Sequence, residues 1–73
     1  MDKSFAIRTY GYGELALLYF PKSSKQSASV QLRRWILRNN KLEKELIDAG
    51  FKPRQKVLTP KQVEIVVKTI GEP

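Results

Sequence analysis

The sequence predicts a mainly α fold, a compact bundle of about four short helices with room for a short strand near residues 5–10 and 55–58. Its 73 residues allow a single domain, expected over 1–73 with an ordered core over about 5–71. Apolar residues recur at helical spacing in four segments, and capping residues, glycines and prolines separate these segments. Because Cys and His are absent, the core must hold without disulfides or a Cys/His zinc site.

The first two helices are expected over residues 14–20 and from an N-cap at Ser24 to about Asn39. The glycines at 11 and 13 are expected to break the chain before the first helix. An apolar arc predicts the core face of the second helix: Ala28, Leu32, Trp35 and Ile36, with Trp35 as a packing residue. Val30 and Leu37 lie opposite this arc; we expect the N-terminal segment to cover them, the alternative being a partner surface.

The third and fourth helices have their own start and stop signals. Asn40 and Glu43 have capping-box spacing at the start of the third helix, and Gly50 suits its C-terminal end, where Phe51 can fold back. After an irregular connector, Thr59 caps the fourth helix. The fourth helix has Pro60 at its first position, Gln62 completing a capping box, a stripe of Val63, Val66, Val67 and Ile70, and Gly71 as its stop.

The formal charge of +7 is unevenly distributed. Residues 15–42 and 49–63 contain no acid and together carry +10, whereas the rest of the chain carries −3. A solvated surface usually interleaves both signs, so this polarity favours an anionic partner, with duplex DNA preferred. The alternative is that these Lys and Arg side chains are exposed to solvent and bind no partner.

On the second helix, Gln31, Arg34 and Arg38 form a stripe beside the apolar arc. Arg can bind guanine and phosphate, Gln can bind adenine, and the connector bases can hold a flanking phosphate backbone. The candidate nucleic-acid-binding residues are Lys25, Gln31, Arg33, Arg34, Arg38, Lys41, Lys52, Arg54 and Lys56.

Other functions follow from other residues. Tyr10 and Tyr12 could stack on unpaired bases of RNA or single strands, and Val30 with Leu37 could serve a protein-interaction module.

No catalytic set is recognisable without Cys and His, so we expect no enzyme, no cofactor and no metal. The longest apolar run, Leu15–Phe20, is too short for a membrane span and no secretory signal is visible, so we expect no membrane partner and a cytoplasmic location.

Five segments in order resemble a family of short, basic bacterial proteins catalogued as a domain of unknown function: Arg8–Ala16, Leu18–Pro21, Leu32–Ile36, Pro53–Gln55 and Leu58–Val63. This resemblance implies no activity. The Glu-Leu-Ala of residues 14–16, followed by a helix with Leu-Arg-Arg-Trp at 32–35, is also similar to the helix-turn-helix of MerR and excisionase-type regulators. That likeness implies a helix-turn-helix-like arrangement in which Lys25, Gln31, Arg34 and Arg38 of the second helix face DNA.

Overall fold

A computed structural model describes residues 5–52 and 54–73 and confirms the mainly α class. In this part of the chain the elements are β1 (Tyr10–Gly11), α1 (Tyr12–Tyr19), α2 (Lys25–Arg38), α3 (Asn40–Asp48), β2 (Val57–Leu58) and α4 (Pro60–Ile70). The two strands form an antiparallel ribbon in which Tyr10 pairs with Leu58. None of the helices described is long and apolar enough to cross a membrane.

Helix α1 begins two residues earlier than the sequence predicts, so the expected break before the helix is wrong for Gly13 but holds for Gly11. Gly11 is the N-cap, and its N–H donates a 3.2 Å hydrogen bond to Oε1 of Glu14. Gly13 lies inside the first turn, where its missing side chain makes room for Lys25. A Cβ at this position would come within 2.8 Å of Cγ and Cε of Lys25. The glycine therefore permits close packing of α1 against the start of α2.

A single residue, Asn39, joins α2 to α3. It ends α2 as the C-cap and begins α3 as the N-cap, where its Oδ1 accepts a 3.0 Å hydrogen bond from the N–H of Leu42. The predicted capping pair of Asn40 and Glu43 is therefore wrong, because Asn40 is already the first residue inside the helix. The predicted cap of α2 is confirmed: Oγ of Ser24 accepts a 3.1 Å bond from the N–H of Ser27.

The predicted end of α3 and start of α4 are confirmed. Gly50 has a φ of +89°, its N–H donates to the carbonyl of Ile47, and the N–H of Phe51 donates to the carbonyl of Leu46, both at 2.9 Å. These two bonds satisfy carbonyls that a helix end leaves without partners. At α4, Oγ1 of Thr59 accepts a bond from the N–H of Gln62, and the Gln62 side chain accepts one from the N–H of Thr59.

The core consists of two adjoining clusters. The larger one joins all four helices and contains Ala16, Ala28, Leu32, Ile36, Leu42, Leu46 and Val66. The smaller one joins the ribbon to α1 and α4 and contains Tyr10, Leu15, Leu58 and Val63. Phe5 packs against this second cluster and stacks on the ring of Tyr10 at 5.1 Å.

The position of Phe5 explains why one prediction is wrong. Phe5 packs beside the ribbon, α1 and α4 and not on α2, and the expected cover of Val30 and Leu37 is missing, since these side chains are 45% and 53% exposed. Trp35 packs as predicted, with its ring centroid 4.7 Å from that of Phe20, but it is 38% exposed. It therefore lies at the rim of the core, where its ring also contacts that of Tyr19.

Candidate nucleic-acid interface

Helix α2 buries one face and exposes the other along its whole length. Ala28, Leu32 and Ile36 point into the core. Seven exposed side chains form what we call the outer face of α2: Gln26, Ser27, Val30, Arg33, Arg34, Leu37 and Arg38. Lys25 at the first position of the helix and Trp35 at the rim of the core are exposed as well. Because the chain has no acid between Glu14 and Glu43, this face carries only positive charge.

Two lysines meet at the N-terminal end of α2. The stem of Lys25 lies over Gly13, and Lys25 and Lys56 line the same surface depression with Gln26 and Ser29. The connector that carries Lys56 is fixed to α1, because the N–H of Tyr12 donates a 2.7 Å hydrogen bond to the carbonyl of Lys56. Two residues that are 31 positions apart in the sequence are therefore held at one end of the outer face.

A second depression continues along α2 and brings in Arg34. It is lined by Ser24, Gln26, Ser27, Val30, Gln31 and Arg34. Gln26 borders both depressions, so the surface from Lys56 through Lys25 and Gln26 to Arg34 is continuous. Arg38 follows one helical turn beyond Arg34 on the same side of the helix.

Gln31 borders the second depression, but its side-chain amide is engaged by the turn before α2. Its Nε2 donates a 2.8 Å hydrogen bond to Oγ of Ser23 and a 3.4 Å bond to Oγ of Ser27, and the side chain is half-buried. The amide thus ties the turn after α1 to α2. By contrast, the side chain of Gln26 is exposed, and its amide forms no hydrogen bond with any group of the described residues. Sequence reasoning overlooked Gln26, although its place on the helical wheel beside Val30 marks it as outward-facing.

Two predicted site residues, Arg33 and Lys41, do not line the depressions that contain Lys25 and Arg34. Arg33 forms a side-chain hydrogen bond with Tyr12, and burial raises the pKa of the Tyr12 phenol while the Arg33 charge acts in the opposite direction. Lys41 lines a groove between α3 and α4 together with Glu45 and Asp48. Two acids thus share the groove of Lys41, whereas the outer face of α2 has none.

Lys52 and Arg54 remain on the connector and are exposed. The backbone at Lys52 is fixed by its N–H, which donates a 3.1 Å hydrogen bond to Oε1 of Gln55. Neither residue lines the depression that contains Lys56. They form a separate, smaller basic segment on the same connector.

The tyrosines proposed for stacking on bases are occupied within the fold. Tyr10 is only 5% exposed, with Phe5 stacked on its ring and the Arg8 guanidinium carbon 3.8 Å from its ring centroid. Its hydroxyl donates a 3.0 Å hydrogen bond to the carbonyl of Ala6. Tyr12 packs against Phe51, with ring centroids 6.4 Å apart. The ring of Tyr10 thus lacks an open face for a base.

An apolar cavity adjoins the C-terminal half of the outer face. Its volume is about 170 Å³, and its lining is formed by Tyr12, Arg33, Ile36, Leu37, Glu43, Ile47 and Phe51. Leu37 and Ile47 at its rim are both more than half exposed. Helix α2 therefore exposes both basic and apolar side chains. Lys25 lies at its start and Arg34 along one side, whereas Leu37 lies beside the cavity.

Fold and surface together define a small, mainly helical protein in which α2 exposes a basic face to solvent. The family model described as "Domain of unknown function (DUF4248)" matches residues 6–73, and the chain belongs to this family. No curated protein and no solved structure has significant similarity to the chain. The comparisons therefore lend no support to the resemblance to MerR and excisionase-type regulators.

Proposed function

We propose that the protein is a non-enzymatic, helix-turn-helix type DNA-binding protein of the bacterial cytoplasm, with a regulatory or accessory role, that presents α2 to duplex DNA. The observation that carries this proposal is the outer face of α2, which is exposed, basic and free of acidic residues over 14 helical positions. An α-helix fits the major groove, which is ~12 Å wide. Helix α1 supports α2 from behind through the core.

The cations around the outer face are arranged for contacts with phosphates. Lys25 and Lys56 lie at the N-terminal end, and Arg34 and Arg38 follow along the helix. Phosphate contacts of this kind fix the position of a protein on the duplex but do not read its sequence. Lys52 and Arg54 extend the same basic connector and would contact the flanking backbone.

The test is a salt titration of binding to a fluorescent duplex of mixed sequence. If Lys25, Lys56, Arg34 and Arg38 each neutralise one phosphate, the logarithm of the association constant should fall with a slope of about −3.6 per log unit of salt. Contacts by Lys52 and Arg54 as well would steepen this slope to about −5.4. The absence of binding at the lowest salt concentration would contradict the proposal. A single-stranded competitor of the same sequence should displace the duplex only weakly, since the ring of Tyr10 is covered.

A second candidate function is a protein-interaction module. It is favoured by the joint exposure of Val30 and Leu37 and by the apolar cavity beside Leu37 and Ile47. Clusters of exposed apolar side chains beside a cavity are typical of protein-binding surfaces.

Stoichiometric co-purification from the native cell distinguishes this candidate. A partner retained by the wild type and by R34A/R38A, but lost with Leu37→Asp, would favour the interaction module over DNA binding. Retention of the same partner by Leu37→Asp would exclude the cavity as its binding site.

A further inference from the structure

From the surface of α2 we infer that Gln26 and Val30 form a base-reading pair that recognises adenine and thymine in the major groove. This inference rests on the proposed DNA-binding function and assigns to two residues the part of that function that selects a sequence. Both side chains are exposed, and they are one helical turn apart, so they are neighbours on the outer face.

The placement of Gln26 distinguishes it from the other glutamine of α2. Gln31 donates its amide hydrogens to Ser23 and Ser27. The amide of Gln26, in contrast, has no hydrogen-bond partner among residues 5–52 and 54–73, so both its donor and its acceptor face solvent. A Gln amide matches the N6 donor and N7 acceptor of adenine with two hydrogen bonds.

The cations on either side indicate where the bases would lie. Gln26 borders the depression that contains Lys25 and Lys56, and it also borders the one that contains Arg34. Along the axis of α2, Lys25 and Arg34 are nine residues, or ~13.5 Å, apart. A helix in the major groove has a phosphate backbone on either side, so each of these long cationic side chains can reach a phosphate that borders the groove. Gln26 and Val30, which lie between them, then face the base edges.

Val30 supplies the apolar half of the pair. Its side chain is 45% exposed, and the sequence around it has no acid that would repel DNA. Apolar side chains recognise thymine by contact with its C5-methyl group. Next to a glutamine that binds adenine, Val30 therefore favours A·T base pairs over G·C pairs at the centre of the site.

The experiment begins with selection from a random duplex library, followed by single-atom changes in the selected DNA. Replacing thymine by uracil removes only the methyl group, and replacing adenine by 7-deazaadenine removes only the N7 acceptor. We expect the uracil change to weaken wild-type binding about fourfold. The 7-deazaadenine change should weaken it by about fivefold or more.

The variants assign each effect to its residue. In Val30→Ala the uracil change should have little further effect, and in Gln26→Ala the same should hold for 7-deazaadenine. Gln31→Ala is the matched control, because it removes a glutamine from the same helix and should keep the wild-type sequence preference. Thermal unfolding followed by circular dichroism verifies that all three variants fold.

The outcomes separate this inference from the proposed function. If the protein binds duplex DNA with a steep salt dependence but enriches no sequence, or if Gln26→Ala enriches the same sequence as the wild type, the inference is overturned and the proposed function stands. If no duplex is bound at low salt, the proposed function itself fails. Loss of preference in Gln31→Ala but not in Gln26→Ala would also overturn the inference.

Discussion

Gln62 links the start of α4 to the end of α3, because its Nε2 donates a 3.1 Å hydrogen bond to the carbonyl oxygen of Ala49. The same side chain is 1% exposed, and its Oε1 accepts hydrogen bonds from the backbone of Thr59 and from Nε2 of Gln55. A residue that the sequence marks only as part of a helix cap thus also joins three segments. Its buried polar atoms are all satisfied, as are the other buried side-chain polar atoms in the described residues.

Replacing Gln62 by Ala should lower the free energy of unfolding by about 2 kcal/mol, because the carbonyl of Ala49 and the amide of Gln55 lose a buried partner. Chemical denaturation followed by circular dichroism measures the change. Gln26→Ala is the control, since Gln26 is exposed and should change stability by less than about 0.5 kcal/mol. Equal stability of the two variants would show that the link contributes nothing.

Gly50→Ala should also destabilise the protein, by about 1–2 kcal/mol, because Gly50 has a φ of +89° where a Cβ is strained. Gly11→Ala provides a matched comparison at an ordinary φ of −63°. A Cβ there would lie 3.7 Å from Cβ of Glu14, which is normal van der Waals contact. Thermal unfolding should show a loss for Gly50→Ala alone. A similar loss at both positions would contradict the role of backbone conformation.

Removing two charges from α2 should affect DNA binding far more than removing two charges from α4. The double variant R34A/R38A should reduce the salt slope by about 1.8, which is the contribution of two phosphate contacts. The control is K61A/K68A, which changes the net charge equally in the groove that also contains Glu45 and Asp48. Equal reductions in the two double variants would indicate that only the total charge matters.

Stability should decrease in alkaline solution because of Tyr19. Burial, with a contribution from Glu72, raises the pKa of this phenol from 10.0 to about 12, and its hydroxyl donates to the carbonyl of Gly71. Between these pH values the unfolded chain loses the proton and the folded protein retains it, so the free energy of unfolding falls as pH rises. Tyr19→Phe should show a smaller decrease over this interval in chemical denaturation. An unchanged decrease would assign the effect to other groups.

Helix boundaries with a single strong signal were predictable from sequence, whereas those with two neighbouring candidates were not. Thr59, Pro60 and Gln62 mark one start for α4, and the structure confirms it. At α3, Asn39 and Asn40 have the same capping ability, and the choice depends on where α2 ends in three dimensions. The packing role of Gly13 likewise depends on Lys25, which belongs to another helix.

The candidate site was predictable as a helix but not as a set of side chains. The acid-free stretch identifies α2, yet the roles of its two glutamines depend on Ser23, which lies in the turn before the helix. The meeting of Lys25 with Lys56 depends on the hydrogen bond between Tyr12 and the connector. Contacts between distant segments of this kind cannot be derived from helical periodicity alone.

The joint at Asn39 also limits how a chain of this fold can change its length. Since one residue ends α2 and begins α3, no loop is present there to absorb an insertion or a deletion. Adding a residue would turn α3 by about 100° relative to α2 and move Leu42 out of the core. An inserted or deleted residue should therefore disturb the core less in the turn over residues 20–24 or in the connector before β2.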